Sequence, residues 1–171
     1  MALSFAFKAG LFNIGAEGQM FIGGLALAWV GFAFTWLPFP ILFVLCLIAG
    51  FLGGALWGAI PGYLKVKRGA HEVITTIMMN FIAIAMVQYL VQNHFMNPDW
   101  GIPHTPTVAK GAYATSLDKI IPWFPAGTRA NIMFLVALIL AGLTVVLLER
   151  TKLGYEIRAT GLNPNSAEYA G

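Results

Sequence analysis

From Gly18 to Leu64 the chain runs for 47 consecutive residues without an Asp, Glu, Lys or Arg. An ionised side chain at the centre of a bilayer costs several kcal/mol, so a stretch of this length is what a hydrocarbon solvent selects. A membrane helix needs roughly 20 apolar residues to cross about 30 Å. The stretch therefore holds two spans and a turn, with Trp36-Leu37-Pro38-Phe39-Pro40 near its middle. It predicts a helical hairpin with spans at about 18–37 and 41–60. Further uncharged stretches, 26 residues from Val73 to Pro98 and 19 from Ala130 to Leu148, predict spans at about 73–96 and 131–148. Composition agrees, because a chain with 58% hydrophobic and 10% charged residues and a mean hydropathy of +0.76 has too little polar surface to cover a water-soluble fold. The expected fold class is an all-α integral membrane protein, a polytopic helical bundle with about four transmembrane helices, and 1–171 forms part of a single transmembrane domain.

Orientation follows from the basic residues, since short loops rich in Lys and Arg stay cytoplasmic. Lys65, Lys67 and Arg68 crowd the link between the second and third spans, and Arg150, Lys152 and Arg158 follow the fourth. Both segments are expected in the cytoplasm, which leaves an external loop at 97–130. Its five prolines favour extended backbone, and Trp100 and Trp123 suit the membrane surface. The loop either receives a soluble partner or forms an interfacial hairpin. The net charge of +3 is accounted for by orientation and implies no nucleic acid. Cys46, the single cysteine, lies inside the second span, so no intrachain disulfide is possible.

Both ends look interrupted. MALSFAFKAG is apolar, too short to span and broken by Lys8. After the fourth span, Leu153 to Thr160 is followed by Gly161 as a helix stop, and Asn163-Pro164 then announces a new helix. The expectation is a fragment with further spans on both sides.

In the second span, Gly50, Gly54, Gly58 and Gly62 recur every four residues, a ridge on which another helix approaches to backbone contact. Packing within one bundle, a homodimer seam and a moving gate all fit it. The third span carries Thr75, Thr76, Asn80, Gln88, Gln92 and Asn93. Thr76, Asn80, Gln88 and Gln92 sweep an arc of about 160°, and unpaired amides are costly in hydrocarbon. They must meet either other helices or a wet pathway. In Leu11-Phe12-Asn13-Ile14-Gly15-Ala16-Glu17-Gly18-Gln19-Met20, Asn13 and Glu17 are four apart and glycines permit a break. If the helix begins at Gly18, Glu17 sits at the interface; if it begins near Phe12, Glu17 lies about 7 Å deeper and needs a partner. Interrupted helices are how many carriers hold polar substrates.

Enzyme signatures are missing. His71-Glu72 is not followed by the second His of a zinc motif, His94 and His104 have no ligand-like spacing with it, and no phosphate-binding glycine loop occurs. No cofactor is expected. The tail TKLGYEIRATGLNPNSAEYAG displays Tyr155, Arg158, Asn163 and Tyr169. By its chemistry alone it either contacts a soluble motor or lies on the lipid surface.

Three blocks, LFNIGAEGQMFIGG, GALWGAIPGYLKVKRGAHEVITTIMMNFIA and TKLGYEIRATGLNPNSAEYAG, resemble in order and spacing the permease subunits of ABC importers for simple sugars and nucleosides, relatives of the ribose and branched-chain amino-acid permeases. HEVITTIMMN looks most like the nucleoside branch. The resemblance implies a cell-membrane importer in which two permeases, identical or different, form the path. ATP would be hydrolysed on separate ABC ATPase subunits, and an extracytoplasmic lipoprotein would deliver substrate. It implies a cytoplasmic coupling segment within 149–171, carried by Gly154, Tyr155, Arg158, Gly161, Asn163 and Ala167. Asn13, Glu17, Gln19, Thr75, Thr76, Asn80 and Gln88 would border the pathway. The readings set beside it are a ribose-type sugar permease and a non-transporting membrane scaffold. A secondary carrier fits less well, because no span holds a central carboxylate.

Overall fold

A computed structural model describes residues 2–96, 101–117, 130–163 and 167. The described residues are mostly helical, with one isolated bridge between Ser116 and Asn131. The helices are α1 (Ala2–Lys8), α2 (Ala16–Ala33), α3 (Phe39–Arg68), α4 (Glu72–Leu90), α5 (Ile132–Arg150) and α6 (Lys152–Leu162). A π-helical turn, Val91–Phe95, continues α4, and a 3₁₀ turn covers Lys110–Ala112. The chain divides into two compact units, Ile14–Tyr113 with α2 to α4, and 1–13 plus 114–171 with α1, α5 and α6.

Among the described residues three helices are long and apolar enough to cross a membrane: Phe39–Arg68, Glu72–Phe95 and Ile132–Arg150. Four were expected. The difference is α2, which at 18 residues is nearly as long as the 19-residue α5 but is less apolar, with Glu17 and Gln19 in its first turn. At the other extreme, α3 has 30 residues, about 45 Å, so it outruns the hydrocarbon and carries Lys65, Lys67 and Arg68 in its last turn. Phe51 and Leu56 on α3 are 74% and 70% exposed, which suits a helix whose solvent is lipid.

In the larger unit, α2 and α3 form the expected hairpin. Pro38 is the extended N-cap of α3, and Pro40 occupies a first-turn position where a missing N–H costs nothing. Glycines set the distance between the two helices. A Cβ on Gly23 would lie 2.7 Å from the Gly50 carbonyl oxygen, and one on Gly54 would lie 3.2 Å from the Gln19 carbonyl oxygen. The ridge at Gly50, Gly54 and Gly58 thus packs on α2 of the same hairpin, whereas nothing lies within 4 Å of a Cβ at Gly62. Gly62 is one turn beyond the contact. It follows that Gly23→Ala destabilises the full-length protein by about 1–3 kcal/mol through backbone overlap. Gly62→Ala is neutral or stabilises by up to about 1 kcal/mol. Thermal unfolding of both variants in one detergent checks the contrast, and equal midpoints would remove the seam from the account.

Between α3 and α4 the chain turns at Gly69, whose φ of 62° suits a residue without a Cβ. Lys65 Nζ lies 2.6 Å from Glu72 Oε2 and ties the two helix ends together across this turn. Each charge also sits at the helix end whose dipole favours it.

In the smaller unit, α1 ends in a Schellman arrangement. Leu11 N–H donates to Ala6 O, Gly10 N–H donates to Phe7 O, and Gly10 has φ 73°. Helix α5 starts at Asn131, whose side chain accepts from Met133 N–H at 3.0 Å. Helix α6 starts at Thr151, whose hydroxyl accepts from Gly154 N–H at 3.1 Å and donates to the Leu147 carbonyl of α5. The expected stop at Gly161 is corrected, because α6 runs through it to Leu162 with Asn163 as its C-cap. Gly161 is glycine for another reason: a Cβ there would meet the Lys8 carbonyl oxygen and come within 2.9 Å of the Gly10 nitrogen. Ala167 N–H donates to Asn163 O, while 164–166, where a new helix was expected to begin, lie outside the described residues. Trp100, Trp123 and Tyr169 lie outside the described residues.

Candidate functional site

The start of α2 carries the most concentrated polar structure in the larger unit. Its N-cap, Gly15, has no side chain to offer, and the first bond made within the helix is from Gln19 N–H to Gly15 O. The three preceding N–H groups have no partner within α2. One of them is served by a side chain on another helix: Asn80 Oδ1 of α4 accepts from Gly18 N–H at 2.9 Å. The other end of the same amide donates to Ile14 O at 3.1 Å. One turn earlier on α4, Thr76 Oγ1 accepts from Ile14 N–H at 3.3 Å and lies 2.7 Å from Glu72 O, to which it donates.

Thr76 and Asn80 are therefore a two-residue clamp on the chain that leads into α2. Their i, i+4 spacing puts both on one face, and both are buried, at 2% and 8% exposure. Gly18 makes the approach possible. A Cβ there would lie 2.9 Å from Asn80 Oδ1 and 3.1 Å from Trp57 Nε1. The indole N–H of Trp57 is buried with no acceptor among the described residues, so the clamp sits beside an open hydrogen-bond donor.

The other expected pathway residues are dispersed. Gln19 packs over the α3 ridge, its amide nitrogen 2.7 Å from a Cβ on Gly58. Glu17 is exposed, Asn13 is half-buried, and half-buried Thr75 turns its hydroxyl back to the carbonyls of His71 and Glu72. Gln88, eight residues beyond Asn80 and so about 12 Å along α4, is exposed. It lines a separate cavity of roughly 410 Å³ with Gln92, Val91 and Pro103. Gln92 lies in the π-helical turn, and such turns recur at functional positions. Sequence reasoning missed Trp57 and the role of Gly18. The available signal was a glycine in the helix start facing an Asn on a membrane helix.

In the smaller unit, the expected coupling residues divide into two sets. Gly154 is buried, and a Cβ there would meet the Leu147 and Leu148 carbonyl oxygens. Arg158 is half-buried with Nε 3.3 Å from Gly154 O, and Gly161 packs on α1. These three hold α6 in place. Tyr155, at 61% exposure, and Leu162, at 89%, face outward with Leu153 and Glu156. Asn163 is exposed and Ala167 half-buried.

Comparison with known proteins agrees with this architecture. The family described as the permease component of the branched-chain amino acid transport system matches residues 1–171. The guanosine ABC transporter permease protein NupP of Bacillus subtilis (strain 168) is 38% identical, covering 100% of this chain and 47% of the relative. The nucleoside ABC transporter permease protein NupB of Lactococcus lactis subsp. cremoris (strain MG1363) is 35% identical over 99% of this chain and 48% of its own length. The glucose ABC transporter permease protein TsgB13 of Haloferax volcanii is 33% identical over 100% and 46%. The chain thus spans about half the length of the curated relatives it matches. No solved structure matches it. With the match running from the first residue to the last and three helices fit to cross a bilayer, the chain belongs to the permease components of the branched-chain amino acid transport family and is a multi-pass protein of the cell membrane.

Proposed function

We propose that the chain supplies the central helices of an ABC importer permease that moves a nucleoside into the cell. The observation that carries the reading is the clamped start of α2. Thr76 and Asn80 satisfy the backbone of a non-helical segment between apolar helices, which membranes tolerate only where protein or a water-lined cavity covers it. Interrupted helices of this kind border substrate sites in carriers. Nucleoside is favoured over other polar solutes because two of the three relatives above bear guanosine or nucleoside in their names. A simple sugar is the second reading, supported by the glucose permease at 33% identity.

In this proposal ATP is hydrolysed on a separate ATPase chain, a second permease completes the path, and an extracytoplasmic lipoprotein presents substrate. The basic ends of α3 and α5 support a cytoplasmic α6, with Leu153, Tyr155 and Leu162 as its outward contact for the ATPase. Gly154, Arg158 and Gly161 hold that contact against α5 and α1. Movement of α6 would then be delivered to the bundle and reopen it on the opposite side.

Radiolabelled guanosine and ribose uptake, measured in a strain carrying the full-length permease with its ATPase and receptor, separates the readings. ATP-dependent guanosine uptake that unlabelled ribose does not compete is the expected result. Uptake of ribose alone would replace the nucleoside reading by the sugar one. An assembly that binds no ATPase chain would favour a scaffold.

A further inference from the structure

Near the C-terminal end of α5 the smaller unit holds a cavity of roughly 320 Å³ that the transport reading does not use. Its charged lining is Lys8 of α1, Glu149 of α5 and Arg158 of α6, with the hydroxyl of Ser4 beside them. Its apolar wall is Ala141, Val145 and Leu148 of α5. Thr144 also lines it, but its hydroxyl proton is already given to Leu140 O at 2.7 Å.

Neither Lys8 nor Arg158 forms an ion pair among the described residues. Arg158 uses Nε on Gly154 O and keeps its terminal NH₂ groups as donors. Two cations against one carboxylate leave the cavity at +1, which a single phosphodiester neutralises. Depth also fits. Ala141, the deepest lining residue on α5, lies nine residues before Arg150, so the cavity extends about 13 Å inward from the end of a helix fit to span the bilayer. Its charged mouth at Glu149 is then at the level where headgroup meets acyl chain, with the apolar wall running deeper, and basic pockets between membrane helices suit anionic headgroups there.

We propose that this cavity seats one anionic phospholipid, its phosphate between Lys8 and Arg158 and an acyl chain along Ala141, Val145 and Leu148. Ser4 then faces the headgroup, and the negative charge of Glu149, which lines the same cavity, works against the phosphate. The leaflet, cytoplasmic, rests on the orientation given under the proposed function; the site itself does not.

The test uses the purified, delipidated full-length permease and native mass spectrometry with phosphatidylglycerol, phosphatidylethanolamine and inorganic phosphate as separate probes. A surface cation contributes about 1 kcal/mol to anionic lipid binding, so Lys8→Gln weakens phosphatidylglycerol binding about fivefold and Lys8→Arg restores it. Glu149→Gln strengthens it by a similar factor, a gain that misfolding cannot produce. Phosphatidylethanolamine binding as tight as phosphatidylglycerol, or indifference to Lys8→Gln and Glu149→Gln, overturns the proposal. Displacement of the lipid by inorganic phosphate at comparable concentration would assign the cavity to a soluble anion instead. Orientation is read independently by labelling Lys8→Cys with an impermeant thiol reagent in sealed vesicles of each sidedness.

Discussion

Asn80→Leu in the full-length permease lowers its stability in detergent by about 1–3 kcal/mol and reduces ATP-driven uptake at least tenfold. The substitution keeps the size of the side chain, so packing is nearly preserved and the loss falls on hydrogen bonding. It strands two backbone groups at once, Ile14 O and Gly18 N–H, both of which Asn80 serves in the structure. A stranded buried group costs about 1–3 kcal/mol in a water-soluble protein. Single interhelical bonds in membranes average nearer 0.6 kcal/mol, because the unfolded chain also finds partners there. The lower end of the range is thus the better guide for stability. The effect on uptake is larger because the clamp fixes where α2 begins. Thr76→Val strands one group across the helices, Ile14 N–H, whose bond is longer at 3.3 Å; the Glu72 O it also releases keeps a bond from Thr75 Oγ1, so the change is expected to cost about a third as much. Asn80→Leu with wild-type uptake would separate the clamp from transport, and an unchanged unfolding midpoint would remove it from the fold.

Much of the fold was legible because its determinants are one-dimensional. The charge-free stretches located α5, the start of α3, and α4 with its π-helical turn to within two residues, and the proline pair marked the α2–α3 turn, whereas α3 runs eight residues past the expected 60, to Arg68. Bundle packing at the glycine ridge was one of the options open from spacing, and three of the four glycines do contact α2. Gly62 could not be separated from them, because spacing says which face a residue shares but not how far the partner extends along it. The same limit applies to the arc of Thr76, Asn80, Gln88 and Gln92. All four share a side of one helix, yet the first two meet the start of α2 and Gln88 and Gln92 line a different cavity. Gly161 misled for a related reason. A glycine at a helix end reads as a C-cap, while here it answers the close approach of α1, a contact between residues about 150 positions apart in sequence that no local pattern encodes.

That long-range contact and its counterpart at Gly154 make the tail more than an exposed docking peptide, and they set the second large effect. Gly154→Ala in the complete transporter is expected to abolish ATP-driven uptake while leaving ATPase attachment largely intact. The new methyl group meets the Leu147 and Leu148 carbonyl oxygens and lies 2.6 Å from the Leu148 carbonyl carbon. These are backbone atoms of the last turns of α5, so no side chain can rotate away, and α6 has to tilt. Overpacking of this kind costs about 1–3 kcal/mol, occasionally more. The tilt also pulls Gly154 N–H from Thr151 Oγ1, which loosens the link by which α6 is joined to α5. Tyr155→Ala provides the opposite signature. Its side chain is 61% exposed, so its removal leaves the fold unchanged and weakens copurification of the ATPase. Two readouts therefore distinguish holding from docking, namely ATP hydrolysis without uptake for Gly154→Ala, and a lost ATPase chain for Tyr155→Ala. If Gly154→Ala takes up substrate at the wild-type rate, α6 is not mechanically joined to the bundle through α5, and coupling must run through another segment of the permease.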